Sequence, residues 1–189
     1  MISRHEVLIS LYGAWRLFIR DPRGIDWLDD SIDGYWKSFF CAVVILPGYI
    51  IWVALGSGEL YQDVGFLRIA SVEMIAYVIS WVAWPLVMAY IAPAIGKDDR
   101  YIRYIVAFNW SAAIQIVLYL LVLFLGVVIR VPPGFAAFFA FFVLIVILVY
   151  HWFILRIALE ASPGGAVGLV IGELVLGQFI RGMSHGMLH

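Results

Sequence analysis

Residues 105–129 read IVAFNWSAAIQIVLYLLVLFLGVVI, 25 residues without a charge. A helix of that length rises about 37 Å, more than the ~30 Å hydrocarbon core of a bilayer. Two further stretches repeat the pattern: Phe39–Leu55 carries no charge, and Phe135–Leu155 runs 21 residues without one. The chain is 65% hydrophobic over 189 residues, with a mean hydropathy of +1.00. A soluble domain of this size has no interior large enough for so much apolar surface. These features specify an all-α, polytopic transmembrane helix bundle.

Working outward from residues 105–129 gives about five spans. The first is predicted from Phe39 to about Val53, opened by Tyr35, Trp36 and Lys37. The second runs from about Ile69 to Ile95 and contains Glu73, Pro85 and Pro93. The third, Tyr104 to Ile129, stops at Pro132-Pro133, because proline lacks the helical donor and restricts the residue before it. The fourth is Phe135 to about Leu155. The fifth, Ala166 to Ile180, is short for a crossing at about 22 Å and is expected to extend towards Met183, to thin the bilayer locally, or to insert only partway. Residues 1–36 then form an arm and acidic linker, 37–182 the membrane bundle, and 183–189 a tail. The N-terminus shows no cleavable signal-peptide pattern.

Lysine and arginine set the orientation. Five spans place Arg4, Arg16, Arg20, Arg23, Lys37, Lys97, Arg100, Arg103 and Arg156 on one side. Arg68, Arg130 and Arg181 fall on the other, nine cations against three. A re-entrant fifth segment makes the count ten against two. Either count expects a cytoplasmic N-terminus, with loops 56–68 and 130–134 outside.

Residues 3–20 have the pattern of an amphipathic helix. Ser3 and Glu6 stand at capping-box spacing. Val7, Leu8, Leu11, Trp15 and Phe18 recur on one face, with Glu6, Ser10, Gly13, Arg16 and Arg20 opposite. The helix is expected at the membrane surface, with Arg4, Arg16 and Arg20 near anionic headgroups, or else packed on the ends of the spans. Asp29, Ser31, Asp33 and Gly34 imitate half of a calcium loop, but Phe40 stands where a bidentate Glu is required. This stretch reads instead as a linker, with Asp33 near the cap of the first span. Trp15, Trp27, Trp36 and Trp152 fall at predicted interfaces, where amphipathic rings are favoured.

Ionisable groups inside spans are costly and face protein or water. Asn109, His151 and Glu173 all fall in the inner half of the membrane, so they can meet. A Glu–His pair beside an amide suits proton handling or the gating of a polar cavity; the plainer role is interhelical hydrogen bonding, worth about 0.6 kcal/mol per bond. Glu73 is expected to reach the interface or Arg68. Gly168, Gly172 and Gly177 are candidates for close helix packing, since small residues let backbones approach.

Other chemistry is absent. No Gly-rich phosphate loop, zinc motif or nucleophile–base pattern occurs, and no Asp lies in a predicted span to build an aspartyl dyad. A haem needs two axial ligands within the spans, where His151 is the only histidine. Neither cofactor nor metal is expected, and catalysis is not expected either. The single Cys41 can form no intramolecular disulfide. A net charge of −1 offers nothing to nucleic acid.

With Pro47-Gly48 in the first span and the stretch Ala158-Leu-Glu-Ala-Ser-Pro-Gly-Gly-Ala166 before the fifth, the plan over residues 37–180 resembles the bacterial relatives of the Yip1 family. The resemblance implies a small protein of the bacterial cytoplasmic (inner) membrane, acting through membrane lipids and a protein partner or a second copy of itself. The leading expectation is therefore a non-enzymatic scaffold or accessory subunit. The alternative is a small transporter or proton- or ion-handling channel using Asn109, His151 and Glu173.

Overall fold

The computed structural model describes residues 2–56 and 64–188; residues 57–63 of the expected outer loop 56–68 lie outside the described residues. The regular elements are α1 (Arg4–Phe18), α2 (Ile32–Ser38), α3 (Phe40–Gly56), α4 (Phe66–Ala94), α5 (Tyr101–Leu123), α6 (Pro133–Ala158) and α7 (Pro163–Leu188). A π-helical turn, Phe124–Val128, prolongs α5. Five helical stretches are long and apolar enough to cross a membrane: Ile32–Gly56, Phe66–Ala94, Asp98–Val128, Pro133–Ala158 and Pro163–Leu188.

The ends of these helices follow from local chemistry. Pro133 occupies the first turn of α6, where a missing N–H costs nothing. Gly96, at φ 67°, turns the chain out of α4, and Lys97 N–H then reaches the Ala92 carbonyl at 2.8 Å. Ser162 receives the Gly165 N–H on its hydroxyl at 3.1 Å and the Ala166 N–H on its carbonyl at 2.8 Å, which starts α7. From there α7 continues for 26 residues, about 39 Å. The fifth segment is thus a full-length helix, not a short one. Residues 183–188, expected as a tail, are its last turns, because nothing between Ala166 and Leu188 breaks a helix.

The third span, α5, forms the centre and packs against α1, α2, α3, α4 and α6, while α7 closes against α4 and α6. The core between them holds Trp84, Met88, Tyr104, Trp110, Ile154 and Leu155, all buried. Most other apolar side chains point outward, as a lipid solvent allows. Close approach occurs at Gly48 of α3, where an added Cβ would stand 2.9 Å from Ile116 Cγ1. By contrast α3 and α4 are bridged by long side chains, among them the Tyr77 hydroxyl, which donates to the Ala42 carbonyl at 2.6 Å. At the end of the bundle that carries the α4–α5 and α6–α7 connections, Glu160 gathers Arg100 at 3.2 Å, Arg103 at 3.9 Å and Lys97 at 4.0 Å.

The arm is docked on the bundle. Its capping box is present: Glu6 N–H donates to Ser3 Oγ at 3.2 Å, and Ser3 N–H donates to Glu6 Oε2 at 2.6 Å. The buried face of α1 is Ser10, Gly13, Ala14 and Leu17, which corrects the expected division of faces. Leu8, Tyr12, Trp15 and Ile19 are exposed instead. Small residues win the inner face because Gly13 and Gly24 meet backbone to backbone, an added Cβ on Gly24 falling 2.7 Å from the Gly13 carbonyl oxygen. The Ala14 carbonyl also accepts from the Tyr150 hydroxyl of α6 at 2.7 Å. Arg16 is bound to Asp21 and to the Tyr12 hydroxyl, so it is not a free lipid contact, whereas Arg4 and Arg20 are exposed. The cap of α2 is Ser31, whose hydroxyl accepts Gly34 N–H at 3.0 Å, and not Asp33, which pairs with Lys37 at 2.6 Å.

Candidate intramembrane polar site

Three helices meet at His151. The residue is buried on the face of α6 turned to α5 and α7, two turns from the C-terminal end of α6. Its Nδ1 lies 2.7 Å from Oε1 and 2.8 Å from Oε2 of Glu173 on α7. Its Nε2 lies 2.8 Å from Gln115 Nε2 and 3.4 Å from Ser111 Oγ on α5. Ser111 and Gln115 are one helical turn apart, so they present to the same side. Ser111 spends its proton on the Phe108 carbonyl at 2.7 Å and accepts from Gln115 at 3.1 Å. The Phe108 ring packs edge-on against the imidazole at 5.5 Å.

The contacts fit a particular tautomer. With the Gln115 amide donating to Nε2, that nitrogen is the acceptor, and Nδ1 carries the hydrogen donated to Glu173. Turning the amide over presents its oxygen to Nε2, which then accommodates a proton there. The site therefore has two hydrogen-bonded arrangements related by one side-chain rotation.

Of the three residues expected to meet, His151 and Glu173 do. Asn109 does not join them. It is buried at the joint of α2 and α5, donating to Ser38 Oγ at 2.8 Å, and its own Oδ1 has no hydrogen-bond partner. The difference is one of helical phase: at 3.6 residues per turn Asn109 points about 120° away from Gln115 and about 160° away from Ser111, off the face that carries both.

A second polar group lies near the N-terminal end of α4 and the C-terminal end of α7. Glu73 of α4 accepts from the Tyr49 hydroxyl of α3 at 2.8 Å and from the Ser184 hydroxyl of α7 at 3.0 Å. The expected partner Arg68 turns away, donating to the Met187 carbonyl at 2.7 Å. Sequence inspection had no reason to select Tyr49 or Ser184, since both residue types are common in membrane helices. Between the two polar groups is a cavity of about 290 Å³, lined by Tyr49, Glu73, Gln115, Tyr119, Arg181 and Ser184 among others. Gln115 belongs to both features: it lines the cavity and touches His151.

Within one chain Gly168, Gly172 and Gly177 of α7 do not pack closely on another span. An added Cβ on Gly168 or Gly177 meets nothing within 4 Å, and on Gly172 it meets only the Trp84 ring at 3.8 Å. None of the three brings helices into close contact. Gly177 lines the cavity, where the missing side chain leaves space. Among the described residues no group of His, Cys, Asp and Glu is arranged to hold a metal ion.

No protein-family model, curated protein or solved structure matches the chain.

Proposed function

We propose that this integral membrane protein is a small proton-handling transporter of the bacterial inner membrane, with its N-terminus in the cytoplasm. The observation that carries this is Gln115, which joins the His151–Glu173 pair to a cavity whose lining also holds Glu73, Arg181 and Ser184. A carboxylate serving only as packing glue needs one partner. Here it begins a relay of three residues that ends at a solvent-sized space.

The proton step balances on these atoms. A proton arriving through the cavity binds His151 Nε2 as the Gln115 amide turns its oxygen inward. The Nδ1 proton passes to Glu173, leaving a neutral imidazole and a protonated carboxyl group. The Glu173 side chain keeps 20% of its surface accessible, which provides the route onward. Imidazole is the side chain whose charge ordinarily changes between about pH 5 and 8. The scaffold role favoured by the sequence requires neither the relay nor the cavity.

Reconstitution tests this. The full chain in sealed vesicles, with an imposed pH gradient and a potassium diffusion potential, should relax an entrapped pH dye faster than protein-free vesicles. Glu173→Gln and His151→Phe should return the rate to the protein-free value. Wild-type vesicles relaxing no faster than empty ones would remove the proposal.

A further inference from the structure

The Tyr49–Glu73 hydrogen bond is a wall shared by two cavities. On one side is the polar cavity of about 290 Å³ that holds Arg181 and Ser184. On the other is an apolar cleft of about 460 Å³ between α3 and α4, lined by Leu46, Ile50, Val53, Phe66, Ile69 and Met74. Tyr49 and Glu73 line both. The cleft exists because α3 packs closely on α5, at Gly48, and leaves α4 to be reached by tyrosine side chains.

We infer that the paired cavities hold one zwitterionic phospholipid with a primary ammonium headgroup, taken laterally from the bilayer between α3 and α4. The apolar cleft matches an acyl chain. The lining of the first cavity includes Arg181, Glu73 and His185, and places Arg181 for the phosphate and Glu73 for the ammonium. A planar guanidinium suits phosphate oxygens. Glu73 already accepts two hydroxyl hydrogens and has lone pairs left for an N–H donor, which an ethanolamine-type head supplies and a quaternary choline head does not. A headgroup with a single negative charge and no cation leaves Glu73 facing that charge inside the cavity. Glu73 lies about five residues inside the predicted outer end of its span, so the head sits near its normal depth while the chain stays in hydrocarbon.

This inference rests on the cavity serving the transport proposed above, and adds the chemistry of a molecule held there. Lipid retention and proton movement are read separately, so the two proposals fail separately. The full chain is placed in bilayer discs of ethanolamine, choline and glycerol phospholipids in equal parts, released, and weighed intact. Wild type should keep one ethanolamine lipid per chain in preference to the other two. Arg181→Gln should lower retention of every phospholipid about tenfold, the scale of one charge-assisted contact; Arg181→Lys should restore part of it. Glu73→Gln should keep a lipid but lose the preference for ethanolamine over choline. Ala70→Trp, which fills the cleft without touching a charge, should remove retention with the helical spectrum unchanged. Equal retention of all three headgroups by wild type, retention indifferent to Arg181→Gln, or a second protein copy occupying the cleft in place of lipid would overturn the inference. Selective retention without proton movement would leave this site standing and remove the transport role.

Discussion

His151 Nδ1 sits almost equally far, 2.7 and 2.8 Å, from both oxygens of Glu173. The two residues are 22 positions apart, on antiparallel neighbours α6 and α7, and each is the polar exception on its helix at that depth. A charged carboxylate facing lipid at mid-membrane costs about 2.5–3.5 kcal/mol on insertion scales, so the pair resolves a cost that either residue alone would bear. Glu173→Gln retains an acceptor for the Nδ1 hydrogen and should change stability little while abolishing proton movement. Glu173→Leu strands that hydrogen in a buried site and should cost about 1–3 kcal/mol. Thermal unfolding in detergent measures both. A leucine variant as stable as wild type would sink the buried-partner account.

That pairing was accessible from the sequence because charge inside an apolar helix has few options. Ser111 and Gln115 carried a weaker signal, their one-turn spacing on the helix opposite His151. Glu73 was assignable only as far as its depth. Its actual partners, Tyr49 and Ser184, depend on how α3 and α7 rotate against α4, which hydropathy does not encode. Helical phase also separated Asn109 from the pair. The apolar runs themselves could hardly be misread: all five expected spans are helices, and the error lay at the fifth, where glycines and Glu173 lowered the local hydropathy without interrupting the helix.

Glycine positions give a contrast with opposite expectations. Gly48→Ala places a Cβ 2.9 Å from Ile116 Cγ1 and 3.3 Å from Leu120 Cδ1, so α3 must shift from α5. Overpacking of this kind costs typically about 1–3 kcal/mol. Gly168→Ala puts a Cβ where nothing lies within 4 Å, and replaces glycine by the best helix former, so it should be neutral or stabilising. Melting temperatures of the two variants in one detergent decide it. Destabilisation by Gly168→Ala equal to that by Gly48→Ala would restore the small-residue packing motif to α7.

The arm should loosen in acid. The hydrogen bond from Lys37, at 2.6 Å, together with the Ser3 backbone N–H, lowers the Glu6 carboxyl from 4.5 to about 2. The same ammonium also faces Asp33 at 2.6 Å. Asp21, held by Arg16 and by Arg23, is likewise lowered from 3.8 to about 2. Both groups are ionised in the folded arm at a pH where the unfolded arm begins to take up protons. Their contribution is complete above about pH 4.5 and is lost as the pH falls through about 2. Protection of the amides in residues 3–20, taken relative to their intrinsic exchange rate at each pH, should therefore fall across that window while protection in α5 stays constant. Protection of the arm that is flat from pH 5 to 2 would show that Lys37 and Arg16 do not hold it.

Orientation can be read with the chain's own chemistry. Cys41 is fully buried, with 0% of its surface exposed, so the wild-type protein should be nearly silent to a membrane-impermeant thiol reagent. Against that background Asp98→Cys probes the turn between α4 and α5, and Val131→Cys the turn between α5 and α6. Lys97, Arg100 and Arg103 crowd the first turn, while Arg130 stands alone at the second. The excess of cations should keep the first turn in the cytoplasm. In intact cells position 131 should label and position 98 should not, and opening the cells should expose position 98. Labelling of position 98 alone from outside would invert the bundle, placing the Glu160 cluster and α1 on the outer face and the Glu73–Arg181 cavity on the inner one.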